Sequence, residues 1–196
     1  MGGWGPRLEF RATMQTRPEA RQHLLTVAEY MSADIQGRTE LLGGTVYDVS
    51  PRNEPHRYAG QKLNEILVRG LDATYAVRVR DAVAVAGWHG NDAPEIDVAV
   101  IDQRYYDPMP TADDASAFIE VSDSTYGDDR RVKVPLYVNA GVPTWIVNIP
   151  ARTMEFSGPV ADLALSNGHV FRDQDTVEIL GVAFVVAKLF APAASG

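Results

Sequence analysis

The chain has no cysteine, which excludes disulfides, thiolate-held zinc and cysteine nucleophiles. Its four histidines are scattered, leaving little for a histidine-built metal centre. No apolar run approaches the roughly 18 residues needed to cross a bilayer. The N-terminal stretch MGGWGPRLEFRATMQTRPEARQHL also lacks the apolar segment of a secretory signal. A soluble, cytoplasmic protein without membrane partners is the expectation. There is no phosphate-cradling glycine loop. Ser122-Asp123-Ser124 lacks both the Gly-x-Ser-x-Gly elbow and the histidine order of a serine hydrolase. Lys and Arg number 18 against 26 Asp and Glu, a net charge of −8. That balance argues against a protein that coats nucleic acid, but not against an enzyme that touches it through a local basic patch.

What is present fits one globular domain: 196 residues, 45% of them hydrophobic, can build a real core. Residues 1–20 have no usable periodicity and read as a disordered leader, leaving 21–196 as the domain. Thr26-Val27-Ala28-Glu29 has capping-box spacing and predicts a short helix through about Met31. Gly43-Gly44 between two short β-type segments predicts a hairpin. Residues 55–71 carry Tyr58, Leu63, Ile66, Leu67 and Leu71 near a helical period. Strands are expected over 75–86, in EIDVAVI and AFIEV, and in GVPTWIVNI with RTMEFS pairing beside it. Between EIDVAVI and AFIEV, DQRYYDPMPTADDAS reads as a loop. Residues 129–140 show a helical face that Pro135 should limit or kink, and a small helix is expected at 183–190. Alternating strands and helices predict an α/β or α+β fold with a mixed sheet flanked by helices and an N-terminal β-hairpin.

Two of these strands each carry an acid. Side-chain alternation puts Asp97 on a face with Glu95 and Ala99, away from Val98 and Val100, and puts Glu120 with Phe118 and Ser122. If the strands are neighbours, the two carboxylates approach and repel, so one must hold a proton or share a cation. A hard divalent ion resolves the conflict, with Asp97, Glu120 and a main-chain carbonyl such as that of Val121 as ligands. Such an ion lowers the pKa of bound water and stabilises charge on a phosphoryl oxygen. Lys133, on the helix after Glu120, could orient a water or steady that charge.

The order Pro94-Glu95-x-Asp97, Glu120-Val121-Ser122, Asp129-Arg130…Lys133…Leu136-Tyr137 and AGVPTWIVN resembles the Uma-type restriction endonuclease family, a branch of the PD-(D/E)XK nuclease superfamily. The upstream TELLGGTVYDVSPRNEPH resembles that family's acidic hairpin followed by Ser-Pro and a histidine. The resemblance implies a restriction-endonuclease-like core, a Mg²⁺ or Mn²⁺ cofactor, and hydrolysis of phosphodiester bonds in DNA. It matches Asp97 to the central acid, Glu120 to the acid of the E-x-K element, Glu40 to the upstream glutamate and His56 to the histidine. Ser122 stands where the lysine of E-x-K would be, which points to Lys133 as the migrated basic group. Three departures accompany it: Gly43-Gly44-Thr45 replaces Asp-Gly-Glu, Asn148 replaces an aspartate, and Thr144 lies near the position of a glutamate.

Plainer readings stand beside these. Asp97 and Glu120 could pair with Arg78 or Arg80. Glu40 could sit on an exposed hairpin face, and His56 could cap or pack at a helix start. Arg52, Arg57 and Lys62, and likewise Arg130, Arg131 and Lys133, could be phosphate contacts or solvated charges. The rival to a nuclease is a catalytically degenerate binding or interaction module on the same fold. Apolar edge strands such as TWIVNI would suit a homodimer or larger homo-oligomer.

Overall fold

The computed structural model describes residues 23–87, 89–158 and 168–192. The expected leader, residues 1–20, lies outside them. Thr26 and Glu29 cap each other reciprocally and start α1 (Val27–Ser32). A hairpin follows, β1 (Thr39–Leu42) and β2 (Thr45–Asp48), with Leu42 opposite Thr45. Its two-residue turn holds Gly43 at φ +56° and Gly44 at φ +76°. Positive φ at both turn positions matches the strands' twist, and glycine takes it without steric cost. Asn53 accepts the His56 amide at 3.1 Å and caps α2 (Glu54–Gly70).

Six strands form the main sheet: β3 (Tyr75–Ala82), β4 (Glu95–Asp102), β5 (Ala115–Ser122), β6 (Thr144–Asn148), β7 (Thr153–Ser157) and β8 (His169–Phe171), in that spatial order. All neighbours are antiparallel except β5 and β6. That parallel pair needs a crossover, supplied by α3 (Tyr126–Asp128), a π-wound turn (Asp129–Lys133) and α4 (Val134–Asn139). Pro135 lacks an amide to donate one turn back, and the widened winding lies immediately before α4.

Both faces of the sheet are covered. Leu63 and Leu67 of α2 pack with Val98, Val100, Ile119, Val121 and Val147 on one face, joined by Phe184. On the other, Ala99, Ile101 and Phe118 pack with Tyr137 and Val142. Asp97 lies away from the larger cluster as expected, yet its own face is also apolar. At its level the β3–β4 ladder is irregular: Val79 pairs with Val98 and Asp81 with Ile96, while Arg80 between them sits at φ +58°. A non-glycine residue there stores strain of the kind found beside functional sites.

Two expectations are corrected. TWIVNI is interior, because β6 bonds to β5 on one side and β7 on the other; the crossover inserts it into the sheet. Residues 183–190 are not one helix. Val182–Val185 form β10, paired with β9 (Thr176–Ile179) around Leu180-Gly181, and only Val186–Leu189 wind as a short 3₁₀ turn. Both turn residues have positive φ, +51° and +82°, which closes a two-residue hairpin. Among the described residues no helix is long and apolar enough to cross a membrane.

Candidate active site

The sheet register brings the two strand acids together. Val98 pairs with Ile119, so Asp97 and Glu120 follow as the next opposed positions on β4 and β5. Asp97 Oδ2 accepts the Val121 amide at 3.0 Å and lies 3.2 Å from His56 Nε2. Asp97 Oδ1 accepts Arg52 Nε at 2.9 Å and Nη2 at 2.7 Å. The expected partners Arg78 and Arg80 are elsewhere: Arg78 pairs with Asp81, and Arg80 approaches Glu95 at 4.0 Å. Arg52 Nε also lies 3.2 Å from His56 Nε2. One nitrogen cannot accept that proton and donate to Asp97 together, and the shorter Arg52–Asp97 contact takes the Nε proton. Burial alone would raise the Asp97 carboxyl; the hydrogen bond and charge of His56, the Arg52 guanidinium and the Val121 amide outweigh it and hold it at about 2.

Glu120 has the opposite fate. It is 1% exposed, and burial, with Asp97 and Asp129 as like charges nearby, pushes its carboxyl well above the usual range despite Lys133 and the Tyr137 hydroxyl. Tyr137 donates to Oε1 at 2.6 Å, and Lys133 Nζ lies 3.7 Å from it. Two carboxylates with opposed tendencies, one kept ionised and one pushed toward its acid, are a common preparation for chemistry.

Lys133 reaches this point because the π-wound turn directs it inward. Its ammonium lies 2.9 Å from Glu40 Oε2 and donates to the Glu95 carbonyl at 3.1 Å. Burial would lower it, but the Glu120 and Glu40 carboxylates raise it above its normal value, so it stays charged. Glu40 Oε2 also accepts the Glu95 amide at 3.2 Å. Asp129, in the same turn, accepts hydroxyls from Ser122 and Thr125 at 2.7 Å each.

All four residues singled out from the sequence, Glu40, Asp97, Glu120 and Lys133, line one cavity of about 740 Å³ together with Arg52 and His56. Val121 lines it too; its amide is engaged with Asp97. His56 is more than a packed helix residue, since it contacts Asp97. The sequence offers Arg52 as a phosphate contact or solvated charge and Glu95 as a strand residue, but not the charge network that ties both to Asp97. Arg52 Nη2 lies 3.2 Å from Glu95 Oε1, and Arg38 forks onto the same carboxylate. The remaining basic residues disperse: Arg57 pairs with Glu54, Lys62 with Glu65, Arg130 with Glu155 and Arg131 with Asp128. Two of the three departures lie outside the cavity: Asn148 accepts the Ala151 amide at 3.1 Å in the β6–β7 turn, and Thr144 bonds the Val142 carbonyl at 3.0 Å, whereas Gly43 lines the cavity with the acids.

The family model described as "Uma2: Putative restriction endonuclease" matches residues 27–184. The chain belongs to this family. The Uma2 match runs from α1 into β10 and so includes every element of the cavity. A search of curated proteins finds no match. A crystal structure titled a putative nuclease belonging to DUF820, from Anabaena variabilis, superposes with a TM-score of 0.64 at 11% identity, covering 85% of this chain and 97% of the other. At that identity the likeness is one of fold. This Uma2 chain thus has the nuclease-type fold expected of it, a mixed sheet flanked by helices.

Donor chemistry allows a test of whether this Uma2 site suits a divalent ion. Among the described residues no three His, Asp or Glu side chains cluster as ready-made ligands. Two hard carboxylates from adjacent strands are nevertheless present. Asp97 already takes a cationic group on Oδ1, and Glu120 sits in an excess of negative charge. Oxygen donors of this kind fit Mg²⁺ or Mn²⁺, which keep several waters and need few protein ligands.

Proposed function

We propose that this chain is a divalent-metal-dependent endonuclease hydrolysing phosphodiester bonds of DNA, through a single nuclease-like domain spanning 21–196 and acting in the cytoplasm. The observation that supports this reading is the meeting of Glu40, Asp97, Glu120 and Lys133, from four different elements, in one cavity. Asp97, Glu120 and the Val121 carbonyl would hold Mg²⁺ or Mn²⁺. Bound there, the ion would supply an acidified water and charge stabilisation at the phosphoryl group.

The protein's own residues have distinct tasks in this reading. Lys133, kept charged by its two carboxylates, acts as a hydrogen-bond donor and not as a base; it orients the attacking water or steadies charge on a phosphoryl oxygen. Glu40 holds the Lys133 ammonium in place and reaches the water shell of the site. To serve as a ligand Glu120 would have to be ionised, against the direction in which its burial pushes it. His56 and the Val121 amide orient Asp97.

Nicking of supercoiled plasmid with Mn²⁺ or Mg²⁺ tests the reading. Asp97→Ala should lower the rate by about two orders of magnitude or more, the scale of losing a group that stabilises transition-state charge. Unchanged activity in Asp97→Ala sinks the assignment. The alternative, a catalytically degenerate module, is favoured by the full occupation of both Asp97 oxygens by protein donors. It predicts no Mn²⁺ binding that depends on Asp97 and Glu120. Homo-oligomerisation, if part of the function, would use the outer strands β3 and β8, where Val79 and Val170 are exposed, with sedimentation as its measurement.

A further inference from the structure

Arg52 holds the place on Asp97 that a metal ion needs. It lies between β2 and α2, its side chain is 12% exposed, and two of its nitrogens converge on Asp97 Oδ1. The other oxygen, Oδ2, is engaged by the Val121 amide and His56. The amide belongs to a central strand and cannot withdraw without breaking the sheet. The guanidinium ends a flexible side chain and can. A second acceptor is at hand, since Nη2 is already 3.2 Å from Glu95 Oε1. The guanidinium could therefore leave Asp97 and remain paired, which removes the usual penalty for stranding a buried charge.

We propose that Arg52 is a resident counter-cation that competes with the divalent ion for Asp97 Oδ1 and moves onto Glu95 when the ion binds. This rests on the reading of Asp97 as a metal ligand. In the metal-free protein Arg52 keeps Asp97 paired and oriented, and affinity for the ion is lowered by the strength of the pair that must first be broken. By linkage, the ion must supply that free energy, so weakening the pair tightens the ion. Arg130 makes a useful contrast, since its guanidinium pairs with Glu155 rather than with Asp97 or Glu95.

Calorimetric titration of Mn²⁺ into the whole chain tests this without any turnover. Arg52→Gln should bind Mn²⁺ about tenfold or more tightly than the wild type, the scale of losing one charge-assisted hydrogen-bonded pair. Arg52→Lys, which keeps the charge and loses the fork, should fall between them. Arg130→Gln removes the same charge without freeing Asp97 or emptying Glu95 and should change affinity by less than about threefold, as a screened field effect. Asp97→Asn should abolish binding. Mn²⁺ should also raise the Tm of Arg52→Gln more than that of the wild type.

Wild-type binding that depends on Asp97, together with no gain in Arg52→Gln, overturns the competition while leaving the metal reading intact. An equal gain in Arg130→Gln overturns it as well, reducing the effect to net charge. If neither the wild type nor Arg52→Gln binds Mn²⁺ through Asp97, the metal reading falls and takes the competition with it. Should Arg52→Gln fail to fold, Arg52→Lys decides: a gain of a few fold supports the proposal and none overturns it.

Discussion

Replacing Lys133 by methionine keeps an unbranched stem of similar length and removes only the ammonium. The residue is 8% exposed, and its Nζ lies 2.9 Å from Glu40 and 3.7 Å from Glu120. Without it both carboxylates lose the ammonium they share, and removing one partner of a buried ion pair costs about 3–5 kcal/mol. Glu120 is already displaced toward its protonated form and can take up a proton, which places the expected loss near the lower end, about 3 kcal/mol. In a chain of this size that corresponds to a Tm roughly 6–12 °C lower. Urea unfolding followed by circular dichroism measures it. The double variant Lys133→Met/Glu40→Gln should recover about 1–2 kcal/mol of the loss in a double-mutant cycle. The deficit should also shrink toward pH 4.5, the ordinary value for the Glu120 carboxyl, since a protonated Glu120 no longer needs the lysine. A Lys133→Met variant unfolding within about 0.5 kcal/mol of the wild type at neutral pH would refute the buried counter-charge and the mechanism built on it.

Three further outcomes are expected. Because the folded-state pKa of Glu120 is raised, its contribution to stability is full below about 4.5 and is lost as pH rises through the folded value. Glu120→Gln should therefore gain on the wild type as pH rises above about 4.5 and gain nothing near that pH, and a difference independent of pH in chemical denaturation would contradict this. Tyr137→Phe keeps the ring on Phe118, with centroids 5.0 Å apart, and deletes the hydroxyl that donates to Glu120. Its loss should be about 1–2 kcal/mol, and one well beyond 3 would mean that packing had failed too. Gly44→Ala places a Cβ about 2.6 Å from the Leu24 Cβ at φ +76°, whereas at Gly43 the added atom meets open space. Thermal unfolding should show Gly44→Ala to be the costlier change by about 1–2 kcal/mol; equal losses would mean that only backbone conformation counts.

The strand acids could be read from the sequence because period-two alternation and burial act within a few residues of Asp97 and Glu120. The capping box at Thr26, the Gly43-Gly44 turn and the α2 stripe are local signals of the same kind. The pairing of Arg52 was hidden: its partner Asp97 is 45 residues away, and nothing near Arg52 distinguishes it from the solvated Arg57. Glu95 was visible as a strand residue but not as the hub that Arg38, Arg52 and the Glu40–Lys133 pair share through its side chain and backbone. TWIVNI was misplaced at an edge because an apolar run shows that a strand is buried without showing which neighbours bury it. The C-terminal helix was misread because the Val182–Val185 run is set by its hairpin turn at Leu180-Gly181, a conformation leucine seldom adopts.

Lys133 joins parts of the chain that are far apart in order of synthesis: 38 residues separate it from the Glu95 carbonyl, and 55 separate Glu40 from the Glu95 amide. Contacts of this range form only after long loops have closed, so they come late on the route to the native state. A half-folded chain has every acid and none of the constellation. For the nuclease proposed here, activity would be the last property gained on folding and the first lost on unfolding, ahead of the dichroism of the sheet. An immature copy would thus be harmless to the cell's own DNA.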